Sequence, residues 1–230
     1  PNASSPGCAA CPHARWWRVR EGQLRRVMQK ILLTGFEPFG GDVVNPSWEI
    51  ARTLDGTTVA GAQVVACLLP CVFGRAPQVL QQALAQGQWA LVVALGMAGS
   101  RTGLSFERIA INLDDASIPD NAGQQPVDVA VFQGGPAAYF STLPVKRMVD
   151  AVRAAGIAAD TSQTAGTFVC NHVFYHLMHM LVSMPNAPRA GFVHVPVLPQ
   201  QQALHPLGQA MALDMQVEGV RVALQAALSA

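Results

Sequence analysis

Cys170 closes a run of small and polar residues, Ser162-Gln163-Thr164-Ala165-Gly166-Thr167-Phe168-Val169, and an amphipathic segment with helical spacing follows from Asn171 to about Met184. A thiol at a helix start sits in the positive end of the helix dipole, which favours thiolate and makes the sulfur a usable nucleophile near neutral pH. The competing reading is a buried structural cysteine, because free cysteine is among the most buried residue types. His194 lies in the apolar strand Phe192-Val193-His194-Val195-Pro196. An imidazole there is costly unless it is hydrogen-bonded or used. Together with a helix-start cysteine it is a candidate general base, taking the thiol proton and returning it to a leaving amine. Glu107 interrupts the largely apolar run from Leu104 to Asn112. A carboxylate at that point can orient the imidazole and stabilise its cation, or it can simply pair with Arg101 or Arg108. Asp114 and Asp115 are rival acids in a loop-like stretch.

His172, His176 and His179 follow the cysteine at helical spacing and share one face. The zinc-protease motif would need Glu at Val173, so the spacing reads as a mixed helix face and no metal is expected. Phe36, Phe39 and Phe168 flank glycines at loop tips. They can belong to the core, or they can line a small pocket.

The elements that must hold these residues alternate. Apolar runs at 30–34, 63–69, 89–95, 104–113, 157–160 and 191–197 read as strands or extended segments. Helical spacing covers 47–54, 74–86, 145–155, 171–184 and 207–228. Asn45 and Pro46 read as a helix cap and first turn. Residues 126–142 read as a loop region with short strands. The alternation predicts a three-layer α/β/α sandwich with a largely parallel, mixed central sheet. Its glycine loops, 35–41 and 96–101, lie at strand ends, where such sheets bind ligands.

The chain has 230 residues, half of them hydrophobic and 13% charged, with a formal charge of +1. That suits one globular domain with a substantial core. Five of the arginines precede Met28, while the remainder holds ten basic and thirteen acidic residues. The body therefore has no nucleic-acid-binding character, and no apolar run is long enough for a membrane helix. Residues 1–27 read as an extension and 28–230 as a single catalytic domain. The Cys8/Cys11/His13 cluster in the extension is a weak half-motif, and no signal-peptide core appears there. Five cysteines, an odd number in a chain of this size, point to a reduced cytoplasmic setting.

Three segments resemble the pyroglutamyl peptidase I family, also called pyrrolidone-carboxylate peptidases. They are Thr34-Gly35-Phe36-Glu37-Pro38-Phe39-Gly40-Gly41 with Asn45-Pro46-Ser47; Glu107 to Asn112; and Ala165 to Asn171 with Gly191 to Pro196. The resemblance runs from about Met28 to the C-terminus. It implies a cytosolic cysteine exopeptidase that removes N-terminal pyroglutamate from peptides through a thioester, without cofactor or metal, commonly as a homotetramer. By position, Cys170 matches the nucleophile, His194 the base and Glu107 the orienting acid. Phe36, Phe39 and Phe168 match the walls of the pyrrolidone pocket. A neutral lactam offers such walls two apolar faces and a polar edge, and Asn45 is the candidate for helping to fix that edge or the peptide beyond it. The Cys170 backbone N–H is the candidate oxyanion donor. The family pattern carries an arginine near the oxyanion site where this sequence has Ser117. That departure leaves a non-catalytic pyroglutamyl-peptide binder as the alternative function.

Overall fold

The computed structural model describes residues 28–229, so the 1–27 extension and its Cys8, Cys11 and His13 lie outside the described residues. A seven-stranded sheet forms the middle layer. In chain order its strands are β1 (Lys30–Phe36), β2 (Thr58–Val59), β3 (Ala62–Leu69), β4 (Leu91–Met97), β5 (Leu104–Glu107), β8 (Ala159–Ser162) and β9 (Arg189–Val195). Their spatial order is β2-β3-β1-β4-β9-β5-β8. β3, β1, β4 and β9 run parallel, while β5 runs antiparallel to β9 and carries β8 parallel to itself. A separate hairpin pairs β6 (Ile109–Ile111) with β7 (Ala138–Phe140).

Among the described residues five α-helices cover the sheet: α1 (Pro46–Leu54), α2 (Arg75–Ala85), α3 (Val145–Ala154), α4 (Val169–Val182) and α5 (Leu213–Leu228). One apolar cluster joins the sheet to α1, α3 and α5, and a second joins it to α2 and α4. These are the three layers expected from the alternation. Central strand β4 is buried along its whole length, as a strand covered on both faces must be.

A local signal sets the start of α1. Asn45 caps α1, its Oδ1 accepting from the Ser47 N–H, with Pro46 in the first turn. Two stretches depart from the periodicity. The run 104–113 is split at Arg108 into β5 and β6, which belong to different sheets. Residues 207–212 are not helical. Gly208 packs so closely on the Gly99 and Arg101 carbonyls that a Cβ there would lie 2.3 Å from Gly99 O, and the Gln209 N–H donates to Arg101 O. Those tertiary bonds take the backbone groups that a longer helix would need. Among the described residues no helix is long and apolar enough to cross a membrane.

Candidate active site

Successive strand side chains alternate between faces, and that alternation sorts the candidate residues. On β9, Val193 and Val195 face the α1/α3/α5 layer, so Phe192 and His194 face α4. On β5, Leu104 and Phe106 face the first layer, so Ser105 and Glu107 face α4. The antiparallel register sets Ser105 opposite His194, leaving Glu107 a diagonal neighbour within reach of the imidazole. His194 Nδ1 and Glu107 Oε1 lie 2.7 Å apart, both side chains buried. The carboxylate can only accept here, so Nδ1 carries the proton and Nε2 is left as the basic nitrogen. On the other side of β9, Gly96 of β4 is the register partner of His194. A Cβ at Gly96 would lie 2.8 Å from Cys170 Sγ. The sulfur thus occupies the space beside the histidine strand that only glycine leaves open.

Cys170 is the second residue of α4, which begins slightly earlier than its spacing suggests. The N-cap, Phe168, supplies no side-chain cap, and the first turn contains no acid. The first N–H groups of the helix therefore remain available to a ligand. Asn171 anchors this end of α4: its Oδ1 accepts from Ile111 N–H, and its Nδ2 donates to the Ile111 and Leu113 carbonyls. Burial, reinforced by Cys71 and Glu107, pushes the Cys170 thiol well above its ordinary value. Burial thus opposes the helix start, which by itself favours the thiolate.

Glu107 also pairs with a cation, and that cation is Arg101. Arg101 Nη2 donates to Glu107 Oε1, Ser162 Oγ and Thr164 O, each at 3.0 Å. One guanidinium thereby compensates the buried carboxylate and ties down the loop ahead of Cys170. The two readings of Glu107, imidazole partner and ion-pair partner, hold together. Arg108 points elsewhere, lining a cavity at the start of α3 with Ser141, Lys146 and Arg147.

Phe39 and Phe168 face one another at 5.9 Å, both half-buried. Phe36 is buried behind them against Phe192. Asn45, offered above for the ligand edge, is buried and holds the glycine loop: its Nδ2 donates to Glu37 O, and its Oδ1 accepts from Ser47. Ser117 is exposed on the loop after β6. Sequence reasoning did not single out Phe73, whose ring meets Phe168 edge-on at 5.4 Å. Its signal was a phenylalanine beside a glycine at a strand end, the same signal that marks Phe36. Two carboxylates lace the surrounding loops together. Glu37 Oε1 accepts from Cys71 N–H and Asn121 Nδ2, and Asp120 Oδ2 accepts from Phe73 N–H.

Comparison with known proteins agrees with this architecture. The pyroglutamyl peptidase family model matches residues 29–230. The pyrrolidone-carboxylate peptidase of Cupriavidus necator is 55% identical over 203 residues, covering 88% of this chain and 94% of the relative. That of Escherichia fergusonii is 55% identical over 201 residues, covering 87% and 92%. The crystal structure of pyroglutamyl peptidase I from Bacillus amyloliquefaciens superposes with a TM-score of 0.85 at 43% identity, covering 88% of this chain and 96% of that one. A mutant pyrrolidone carboxyl peptidase from Pyrococcus furiosus gives 0.84 at 40% identity, covering 87% and 99%. A matching family model over nearly all of the described residues, with relatives this similar along almost their whole length, makes the chain a member of the pyroglutamyl peptidase family.

Proposed function

We propose that the chain is a cysteine exopeptidase that hydrolyses the bond after an N-terminal pyroglutamyl residue, with Cys170, His194 and Glu107 as its triad. The observation that carries this reading is the buried Glu107–His194 hydrogen bond, set beside the gap at Gly96 into which Cys170 Sγ fits. His194 Nε2 takes the thiol proton, and the sulfur adds to the pyroglutamyl carbonyl. The Cys170 N–H, at the uncapped start of α4, donates to the oxyanion. The C–N bond breaks as His194 returns the proton to the leaving amine, giving a thioester. Water, deprotonated by His194, then releases pyroglutamate and restores the thiol. Glu107 holds the Nδ1–H tautomer throughout, and Arg101 holds Glu107.

Phe39 and Phe168 are proposed to clasp the flat lactam, with Phe36 behind them and Asn45 acting through the glycine loop. An ordinary charged N-terminus would be left unpaired in such an apolar clasp, which is the basis of selectivity. No step requires a metal or cofactor. We further propose a homotetramer working in the cytoplasm. Exposed apolar residues Phe140, Val182 and Met184 offer surface for self-association, and sedimentation velocity tests it. The activity is tested with a fluorogenic pyroglutamyl amide. Thiol-dependent release supports the proposal, whereas tight binding of a pyroglutamyl peptide without turnover would make the protein a binder.

A further inference from the structure

The three histidines on the face of α4 have different surroundings. His179 Nδ1 lies 2.7 Å from the Tyr139 hydroxyl. His176 is pushed down to about 4 by burial, with His172 and His179 adding to the effect. His172, buried two residues after the candidate nucleophile, has both ring nitrogens engaged. The Gly74 N–H donates to its Nε2 at 3.1 Å, and its Nδ1 lies 2.7 Å from Asp114 Oδ2. A backbone N–H can only donate, so Nε2 accepts, and the ring proton sits on Nδ1, where it donates to Asp114. The bond to Gly74 joins residues 98 positions apart in sequence.

That bond fixes the turn between β3 and α2. Gly74 has φ 68, a conformation that glycine adopts without strain. Phe73 is fastened by its own N–H to Asp120 Oδ2 at 2.8 Å. The Phe73 ring packs edge-on against Phe168 at 5.4 Å and against His172 at 5.2 Å. Phe168 in turn is both the N-cap of α4 and the partner of Phe39. A connected set therefore runs Asp114–His172–Gly74/Phe73–Phe168–Phe39, outside the Cys-His-Glu group.

We infer that His172 and Phe73 are positioning residues for the acyl pocket: neutral His172, oriented by Asp114, fastens the Phe73–Gly74 turn to α4, and the Phe73 ring sets the angle at which Phe168 meets the pyrrolidone ring. This inference rests on the pyroglutamyl reading of the site. It assigns the pair to substrate affinity rather than to bond breaking, because neither residue belongs to the Cys170, His194 and Glu107 group.

The test is steady-state hydrolysis of a fluorogenic pyroglutamyl amide by the full chain and by Phe73→Leu, His172→Ala, His172→Gln and the Phe73→Leu/His172→Ala double variant, each checked for a cooperative melt. Phe73→Leu and His172→Ala should each raise KM roughly tenfold, as loss of an aromatic contact predicts, with kcat held within about twofold. The double variant should be no worse than the worse single one, since residues acting as a unit are not additive. His172→Gln, whose amide oxygen can accept from Gly74 N–H, should recover most of the affinity. Unchanged KM, fully additive losses, or a fall confined to kcat would overturn the inference. If His172→Ala does not fold, Phe73→Leu decides alone: a raised KM with kcat kept supports it, and an unchanged KM refutes it. An unaltered chain that leaves the amide uncut refutes the proposed activity itself; a chain that turns over while its variants keep KM refutes only the positioning.

Discussion

Gly96 and Cys170 share one space: the position a Cβ would occupy at Gly96 lies 2.8 Å from Cys170 Sγ and 2.7 Å from Phe192 Cζ. Gly96 is also the register partner of His194. Gly96→Ala should therefore displace the sulfur from the imidazole while leaving the sheet hydrogen bonds in place. The expected result is a loss of kcat/KM of about a hundredfold, the scale of an ångström misplacement, with stability lowered by about 1–3 kcal/mol, as overpacking typically does. Wild-type turnover in Gly96→Ala would show that the sulfur does not react from this position.

The thiol chemistry itself makes a sharper prediction. Cys170→Ser should be inactive, and alkylating agents should abolish activity unless product or excess substrate protects it. Cys67→Ser and Cys71→Ser should stay active. Burial, with Glu37 and Asp120 nearby, pushes the Cys71 thiol to about 12, so it stays protonated near neutral pH. Full activity in Cys170→Ser would end the mechanism. Chelators should have no effect, and loss with EDTA followed by rescue with zinc would point back to the histidines of α4.

The direction of the Cys170 shift can be measured where His194 cannot mask it. In His194→Ala, the rate of alkylation by iodoacetamide should rise with pH through a midpoint above the ordinary cysteine value of about 8.5. The sign follows from burial first, with Cys71 and Glu107 adding to it, all of which disfavour the thiolate. A midpoint below that value would mean that the start of α4 outweighs burial.

Ser117, exposed on the loop after β6, is short and uncharged. If the oxyanion site lacks a charged donor there, Ser117→Arg should raise kcat on pyroglutamyl amides with little change in KM. The gain would be about a hundred- to a thousandfold at most, since removing one oxyanion donor costs ~2.7–4 kcal/mol of barrier. Unchanged turnover in a folded variant would refute that idea. Arg101→Ala should lower kcat in either case, because it leaves the buried Glu107 without its cation.

A protein beginning at Met28 should keep the catalytic efficiency of the whole chain, because the family match starts at residue 29. A large loss of efficiency with folding retained would show that residues 1–27 complete the site or an assembly.

The sequence alone determined the parts whose cause is local. Asn45-Pro46 marks the start of α1 because a cap and an early proline need only neighbouring residues. The two-residue period of β5 and β9 determines that Glu107 shares a face with Ser105, and His194 with Phe192. Cys170, His194 and Glu107 stood out because each is a reactive group in a setting that makes it costly or activated. What the sequence left open was decided by bonds between distant segments, which leave no periodic trace. The antiparallel entry of β5 beside β9 brings Glu107 to His194 across 87 positions. Arg101 was chosen over Arg108 by the Ser162–Thr164 loop folding against it. Residues 207–212 lost their helix to carbonyls near Gly99. The turn carrying Phe73 meets His172 only when α2 and α4 pack side by side on one face of the sheet. For Glu107, His194 and His172 the deciding group was a donor or acceptor that burial obliged to find a partner, and only the tertiary structure decided which partner was within reach.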